Sequence, residues 1–363
     1  MSKKKVEVIE VPKKVSFKKY MKFISVLVLA VAFVFLMVNV IDYFVSKNMK
    51  VIDTCGDGTF YDTCSLNKPY YCQEGILVEK ASVCGCPSIL NKDGEFCVSQ
   101  YQNNPKLVNL TYVVDGESDF IEFTLYKGVE DYIASVPRSI TYQGDEKASR
   151  RDFKVKSMNE ELQREYLIPL AVRIQNLAPN DLDKQARIAI SLVQNIPYNS
   201  SGEIFNFASS NVDYSRYPYE TLYSMEGVCE EKSALLAFLL REFGYGSVMF
   251  YYPEENHEAM GIKCPVKYSL DRTGYCFIET TGPSIITNNE EYYLDWGKLT
   301  SAPETILLSE GSTFGLKNLY EYKDARKIIK INDLIEKKGK INYFLHLRLE
   351  KLKEKYGLDG IYS

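Results

Sequence analysis

Only two histidines occur in 363 residues, so imidazole chemistry has few places to happen. His346 lies in Tyr343-Phe-Leu-His-Leu-Arg-Leu349, within a charged stretch of helical spacing, and reads as a helix-face residue. His257 opens the run His257-Glu-Ala-Met-Gly-Ile-Lys-Cys264 and is the candidate base. The candidate nucleophile is Cys229, in Gly227-Val-Cys-Glu-Glu-Lys-Ser233, directly before the apolar run Ala234-Leu-Leu-Ala-Phe-Leu-Leu240. That run closes at Arg241-Glu-Phe-Gly244, and glycine suits the residue just past a helix end. A buried helix is expected over 229–243, with Cys229 in its first turn. The N–H groups and positive dipole end at that position favour a thiolate, and Gly227 allows the chain to turn tightly into it. The competing reading of Cys229 is a small buried core residue.

Cysteine parity favours the reactive reading. Six of the nine cysteines fall between residues 55 and 97: Cys55, Cys64, Cys72, Cys84, Cys86 and Cys97. The stretch is rich in Gly, Asp, Asn and Pro and poor in large aliphatics, so it needs staples. Zinc would call for C-x-x-C pairs or nearby histidine, and Cys84-Gly-Cys86 is the one close pair. Three disulfides are expected, with the connectivity open. Cys264 and Cys276 flank a loop containing Pro265, Asp271 and Gly274 and are expected to pair. Cys229 is then left over, and a leftover thiol in an oxidising setting points to reactivity.

The strand-like run Tyr275-Cys-Phe-Ile-Glu-Thr-Thr281 supplies an acid, Glu279, to hold the second nitrogen of the imidazole. Alternate strand residues share a face. His257 and Glu279 are therefore expected on the side of the Cys229 helix, with Cys264 and Cys276 on the other. Direct opposition of both pairs would need different registers, hence a bulge or a disulfide placed in the loop.

Other elements must carry these groups. Residues 106–145 alternate apolar and polar positions, as strands do. Asn159–Asn176 and Leu182–Asn195 show helical spacing, the second stopped by Ile196-Pro197-Tyr198. The run Phe23–Val38 is apolar apart from Ser25, and a transmembrane helix over 23–45 is expected. Residues 1–22 carry eight lysines against two glutamates, so this basic tail is expected in the cytoplasm and the rest outside, at the cell membrane. With the net charge at −4, the remainder is acidic, which argues against nucleic acid as a partner.

The order of Cys on a helix N-terminus, then His, then an acid on neighbouring strands resembles the transglutaminase-like superfamily of papain-like thiol enzymes. Asp181–Tyr198 resembles the upstream helix of that family, Tyr219–Cys229 its approach to the nucleophile, and Phe277-Ile-Glu-Thr-Thr281 its strand ending in Asp-Pro-Thr. Glu279 stands where the family has Asp, Thr280 replaces Pro, and His257-Glu-Ala replaces the frequent His-x-Trp. The resemblance implies an α+β fold, a transglutaminase-like (papain-like) core with a helix on an antiparallel sheet, preceded by a transmembrane helix and a small disulfide-rich module. The expected organisation is a tail at 1–22, a span at 23–45, a cysteine-rich module at 51–99, a β-rich segment at 106–150, the transglutaminase-like domain at 155–310 and a helical region at 320–363. It also implies acyl transfer on peptide or protein substrates by Cys229, His257 and Glu279, with the Cys229 N–H as an oxyanion donor and Gln194 as a side-chain candidate. No cofactor or metal is expected. A non-catalytic binding or assembly protein that kept the fold remains the alternative, with residues 321–356 as a partner helix.

Overall fold

Residues 247–252, Ser-Val-Met-Phe-Tyr-Tyr, are buried almost throughout rather than in alternation, the mark of a strand covered on both faces. They form β9 (Ser247–Tyr252) in an antiparallel four-stranded sheet of order β11-β10-β9-β12, with β10 (His257–Lys263), β11 (Tyr275–Ile278) and β12 (Glu304–Ser309). Helix α8 (Cys229–Glu242) covers one face. Its residues Leu235, Leu236, Leu239 and Leu240 share a buried cluster with Met249, Met260, Ile262 and Ile278. The opposite face, with Val248, Phe250, Tyr252, Ala259 and Phe277, is sealed by Ala325 and Ile328 of α9 (Tyr320–Lys338) and by Leu349 and Leu352 of α10 (Tyr343–Tyr356).

This is the computed structural model of the chain, and it describes residues 24, 26–38, 53–141, 148–199, 204–207, 210–213, 215–287, 299 and 301–358. Two compact units are present, Met1–Ile52 and Asp53–Ser363. In the first, residues 24 and 26–38 are helical (α1). This corrects the expected transmembrane helix. Among the described residues no helix is long and apolar enough to cross a membrane. The single-pass placement at the cell membrane loses its support with it. The tail at 1–22 and the far end of the expected span, 39–45, lie outside the described residues.

In the second unit, cysteine pairing follows parity. Cys55–Cys72, Cys64–Cys84 and Cys86–Cys97 staple the small hairpins β1 (Tyr70–Gln73) with β2 (Ile76–Glu79) and β3 (Asn91–Asp93) with β4 (Phe96–Val98), around one helical turn, α2 (Ala81–Cys84). Leu77 and Asn176 exchange hydrogen bonds of 2.9 and 3.0 Å, which ties this module to α5 (Glu161–Leu177). Strands β5 (Pro105–Val114) and β6 (Glu117–Tyr126) form a hairpin turned by Asp115-Gly116, both at positive φ. Strand β6 runs straight into α3 (Lys127–Ser135), and α4 (Arg150–Met158) precedes α5. The buried face of β5 packs on α6 (Leu182–Gln194). Short strands β7 (Ile204–Phe207) and β8 (Ser210–Asp213) pair before α7 (Pro218–Ser224), which leads into α8.

The β10–β11 register differs from the expectation in an instructive way. Met260 pairs with Ile278 and Ile262 with Cys276, without a bulge. In that register neither the cysteines nor His257 and Glu279 are directly opposed. Each pair is diagonal, offset by two residues in opposite directions, which long side chains bridge readily. The two cysteines take the face opposite to the one expected. Cys264 and Cys276 lie in the cluster of the α8 leucines. His257, paired with Tyr252, and Glu279, just past β11, lie instead at the sheet end where α8 begins, near enough for Thr280 Oγ1 to donate to the Cys229 carbonyl at 3.3 Å.

Candidate active site

The approach to Cys229 is fixed by backbone contacts. The Gly227 N–H donates to the Pro197 carbonyl at 3.2 Å, and the Asn199 N–H donates to the Gly227 carbonyl at 3.3 Å. A Cβ on Gly227 would lie 2.9 Å from Thr221 Cγ2 and 3.2 Å from Glu231 Oε2, so only glycine fits there without a shift. The Glu231 carboxylate then takes the Val228 N–H at 3.1 Å and the Arg216 N–H at 2.8 Å, closing the first turn of α8 from within. Cys229 emerges at that turn, partly exposed and the one free cysteine among those described.

His257 is buried, and its Nε2 lies 2.9 Å from Glu279 Oε2. That leaves Nδ1 as the nitrogen available to the sulfur. Burial alone would lower the imidazole's pKa, but hydrogen bonds to Cys229 and Glu279, and their charges, push it up to about 10. Glu279 is equally buried, yet its pKa is held down. Burial opposes its charge, and His257 together with Thr281 outweighs that opposition. The other oxygen, Oε1, accepts the Thr280 N–H at 2.9 Å, the Thr281 N–H at 3.0 Å and the Thr281 hydroxyl at 2.9 Å. An acceptor site so filled by donors is built for a carboxylate rather than a carboxylic acid. The structure thus brings Cys229, His257 and Glu279 together, while His346 is exposed on α10, remote in sequence and role.

Gln194 does not serve as the expected oxyanion donor. Its Nε2 donates to the Glu279 carbonyl at 2.8 Å and to Ser284 Oγ at 2.9 Å, so both N–H groups are spent in the interior. It steadies the acid-bearing segment instead. A charged collar also surrounds the site. Buried Glu258, next to His257, meets Arg150 Nη1 at 2.7 Å and Lys154 Nζ at 3.0 Å. Lys154 Nζ further donates to the Glu230 carbonyl at 3.2 Å, so α4 braces the residues beside both Cys229 and His257. Lys154 in turn is the main reason the Glu230 carboxyl lies below its usual pKa. These partners were not singled out from the sequence. A legible signal was present in Lys232, a lysine just before the apolar run Ala234–Leu240, and in Thr280-Thr281 directly after the acid.

No family model and no curated protein matches the chain. Among solved structures the chain is similar to calcium-bound LapG of Legionella pneumophila, at 15% identity and a TM-score of 0.21, over 56% of this chain and 98% of that one. At that score the likeness decides nothing about chemistry. The site itself carries a recognisable logic: a reachable sulfur at a helix start, an imidazole beside it, and a carboxylate fixing the ring's far nitrogen.

Proposed function

We propose that the chain is a thiol enzyme of the transglutaminase-like kind, acting on a carbonyl of a peptide or amide substrate through Cys229, His257 and Glu279. One observation carries this reading: the single unpaired thiol among four disulfides meets a buried imidazole whose other nitrogen is held by a buried carboxylate. Among nine cysteines, only the one at that helix start escapes pairing.

In the reaction the Cys229 thiolate attacks the substrate carbonyl carbon and forms a C–S bond. The oxyanion would sit toward the Cys229 N–H, at the start of α8, where helix N–H groups have no partner in the helix itself. The His257 imidazolium gives its proton to the leaving amine as the C–N bond breaks, which leaves a thioester. Water, or an acceptor amine, then attacks the thioester while neutral His257 takes its proton. The C–S bond breaks, the acyl product departs, and the thiolate–imidazolium pair returns. Glu279 keeps the ring oriented and favours its charged form throughout.

The test is second-order alkylation of Cys229 by iodoacetamide across pH, on the chain with its disulfides intact. The expected parent profile retains reactivity well below the usual thiol range, and His257→Ala removes that acidic limb. A profile indifferent to His257→Ala ends the enzymatic reading in favour of a binding protein on this fold. Product analysis with peptide amides, by release of ammonia or free amine, then separates hydrolysis from transfer.

A further inference from the structure

Lys232 follows Cys229 by one helical turn on α8 and is fully buried. Its Nζ donates to three backbone carbonyls: Ile196 at 2.5 Å, Thr281 at 3.0 Å and Gln194 at 3.4 Å. Two of these close α6, and the third lies two residues past Glu279. One ammonium therefore spans the nucleophile's helix, the end of the supporting helix and the segment that presents the acid. Carbonyl dipoles offset the desolvation of such a group only in part, and a buried cation persists where fixed negative charge faces it.

That charge is on the page. Burial pushes the Lys232 pKa down to about 7, while Glu279 and Cys229 both act to keep the amine protonated. Glu279 comes from the end of the sheet and Cys229 from α8 itself. From α6 the facing groups are the carbonyls of Gln194 and Ile196, and the Tyr198 phenol, just past them, feels Cys229 and Glu279 as well. With a thiolate, an imidazolium and a carboxylate in place, the site carries one net negative charge. A lysine ammonium brings it to neutrality.

Resting on the thiol-enzyme reading above, we propose that Lys232 is a positioning residue of this site. Its buried ammonium pins the Glu279–Thr281 segment to the end of α6 and supplies the positive charge that lets the Cys229 thiolate and the Glu279 carboxylate coexist. A neutral amine has two N–H donors for three carbonyls and no charge, so discharging Lys232 loosens both functions at once.

The test compares parent, Lys232→Met and His257→Ala chains, full length with disulfides intact. Methionine keeps an unbranched stem and removes the charge. The expected result is an alkylation profile for Lys232→Met displaced upward by about one pH unit, roughly a tenfold slower reaction at mildly acidic pH. A Lys232→Met profile that overlays the parent, while His257→Ala alters it, overturns the role of Lys232 and leaves the thiol–imidazole reading standing. An unaltered His257→Ala profile overturns both. Should Lys232→Met fail to fold, the same coupling is read from the other side, because linkage is reciprocal. In chains carrying 13Cε-lysine, the Lys232 resonance, assigned by its loss in Lys232→Arg, is expected to titrate about one unit lower in Cys229→Ser than in the parent. Equal midpoints in the two chains overturn the proposal.

Discussion

Replacing Glu279 by Gln tests the electrostatics of the site with almost no change in volume. Three donors converge on Glu279 Oε1: the Thr280 N–H, the Thr281 N–H and the Thr281 hydroxyl. A glutamine must therefore place its carbonyl oxygen there and turn its NH2 toward His257 Nε2. The glutamine NH2 and an imidazolium are both donors, so the charged ring is disfavoured, and the neutral ring carries its proton on Nδ1. The charge-assisted hydrogen bond at 2.9 Å is lost. Such bonds are worth about 1.5–3 kcal/mol, which corresponds to a fall of about 1–2 units in the imidazole titration. The parent His257 titrates at about 10, above its reference value of 6.5. The proton it holds therefore stabilises the fold fully below about pH 6.5, and that contribution drains away as pH rises through about 10. In Glu279→Gln the draining ends at lower pH. The assay is the Cε1–H proton resonance of His257 followed against pH, alongside Cys229 alkylation. Unchanged titration of the buried ring in Glu279→Gln would refute the argument that this carboxylate holds the imidazolium.

Other consequences follow from packing. Gly227→Ala puts a methyl 2.9 Å from Thr221 Cγ2; urea unfolding is expected to show a loss of about 1–3 kcal/mol, with slower Cys229 alkylation as the turn shifts. Removing the Cys264–Cys276 bridge with paired serines is expected to cost about 3 kcal/mol by the same measurement. The pH profile of Cys229 should survive, since that disulfide lies among the α8 leucines and away from His257. Leu236→Ala, at a fully buried position of α8, is expected to lose about 2–5 kcal/mol in denaturant titration. Lys154→Met strands Glu258 with Arg150 alone, and a loss of several kcal/mol is expected from a half-broken buried pair, read as a lowered melting midpoint.

The sequence by itself determined what is local or arithmetical. An apolar run closed by glycine forms α8 with Cys229 in its first turn, because helix period and helix stops are written in consecutive residues. Alternation forms β5 and β6, and counting cysteines leaves Cys229 unpaired. The α+β class with an antiparallel sheet was implied by the resemblance, and the structure has it. Apolar character over residues 23–45 suggested a spanning helix, and among the described residues none is long and apolar enough to cross a membrane. Only the tertiary structure decided the register that makes both the disulfide and the His257–Glu279 pair diagonal, and which face each of them takes. Strand period two allows either face, and the choice falls to whichever helix packs there. The collar of Lys154, Glu258 and Arg150, and the three carbonyls around Lys232, join residues scores of positions apart. A buried charge is stable only with partners in space, and no spacing along the chain encodes those.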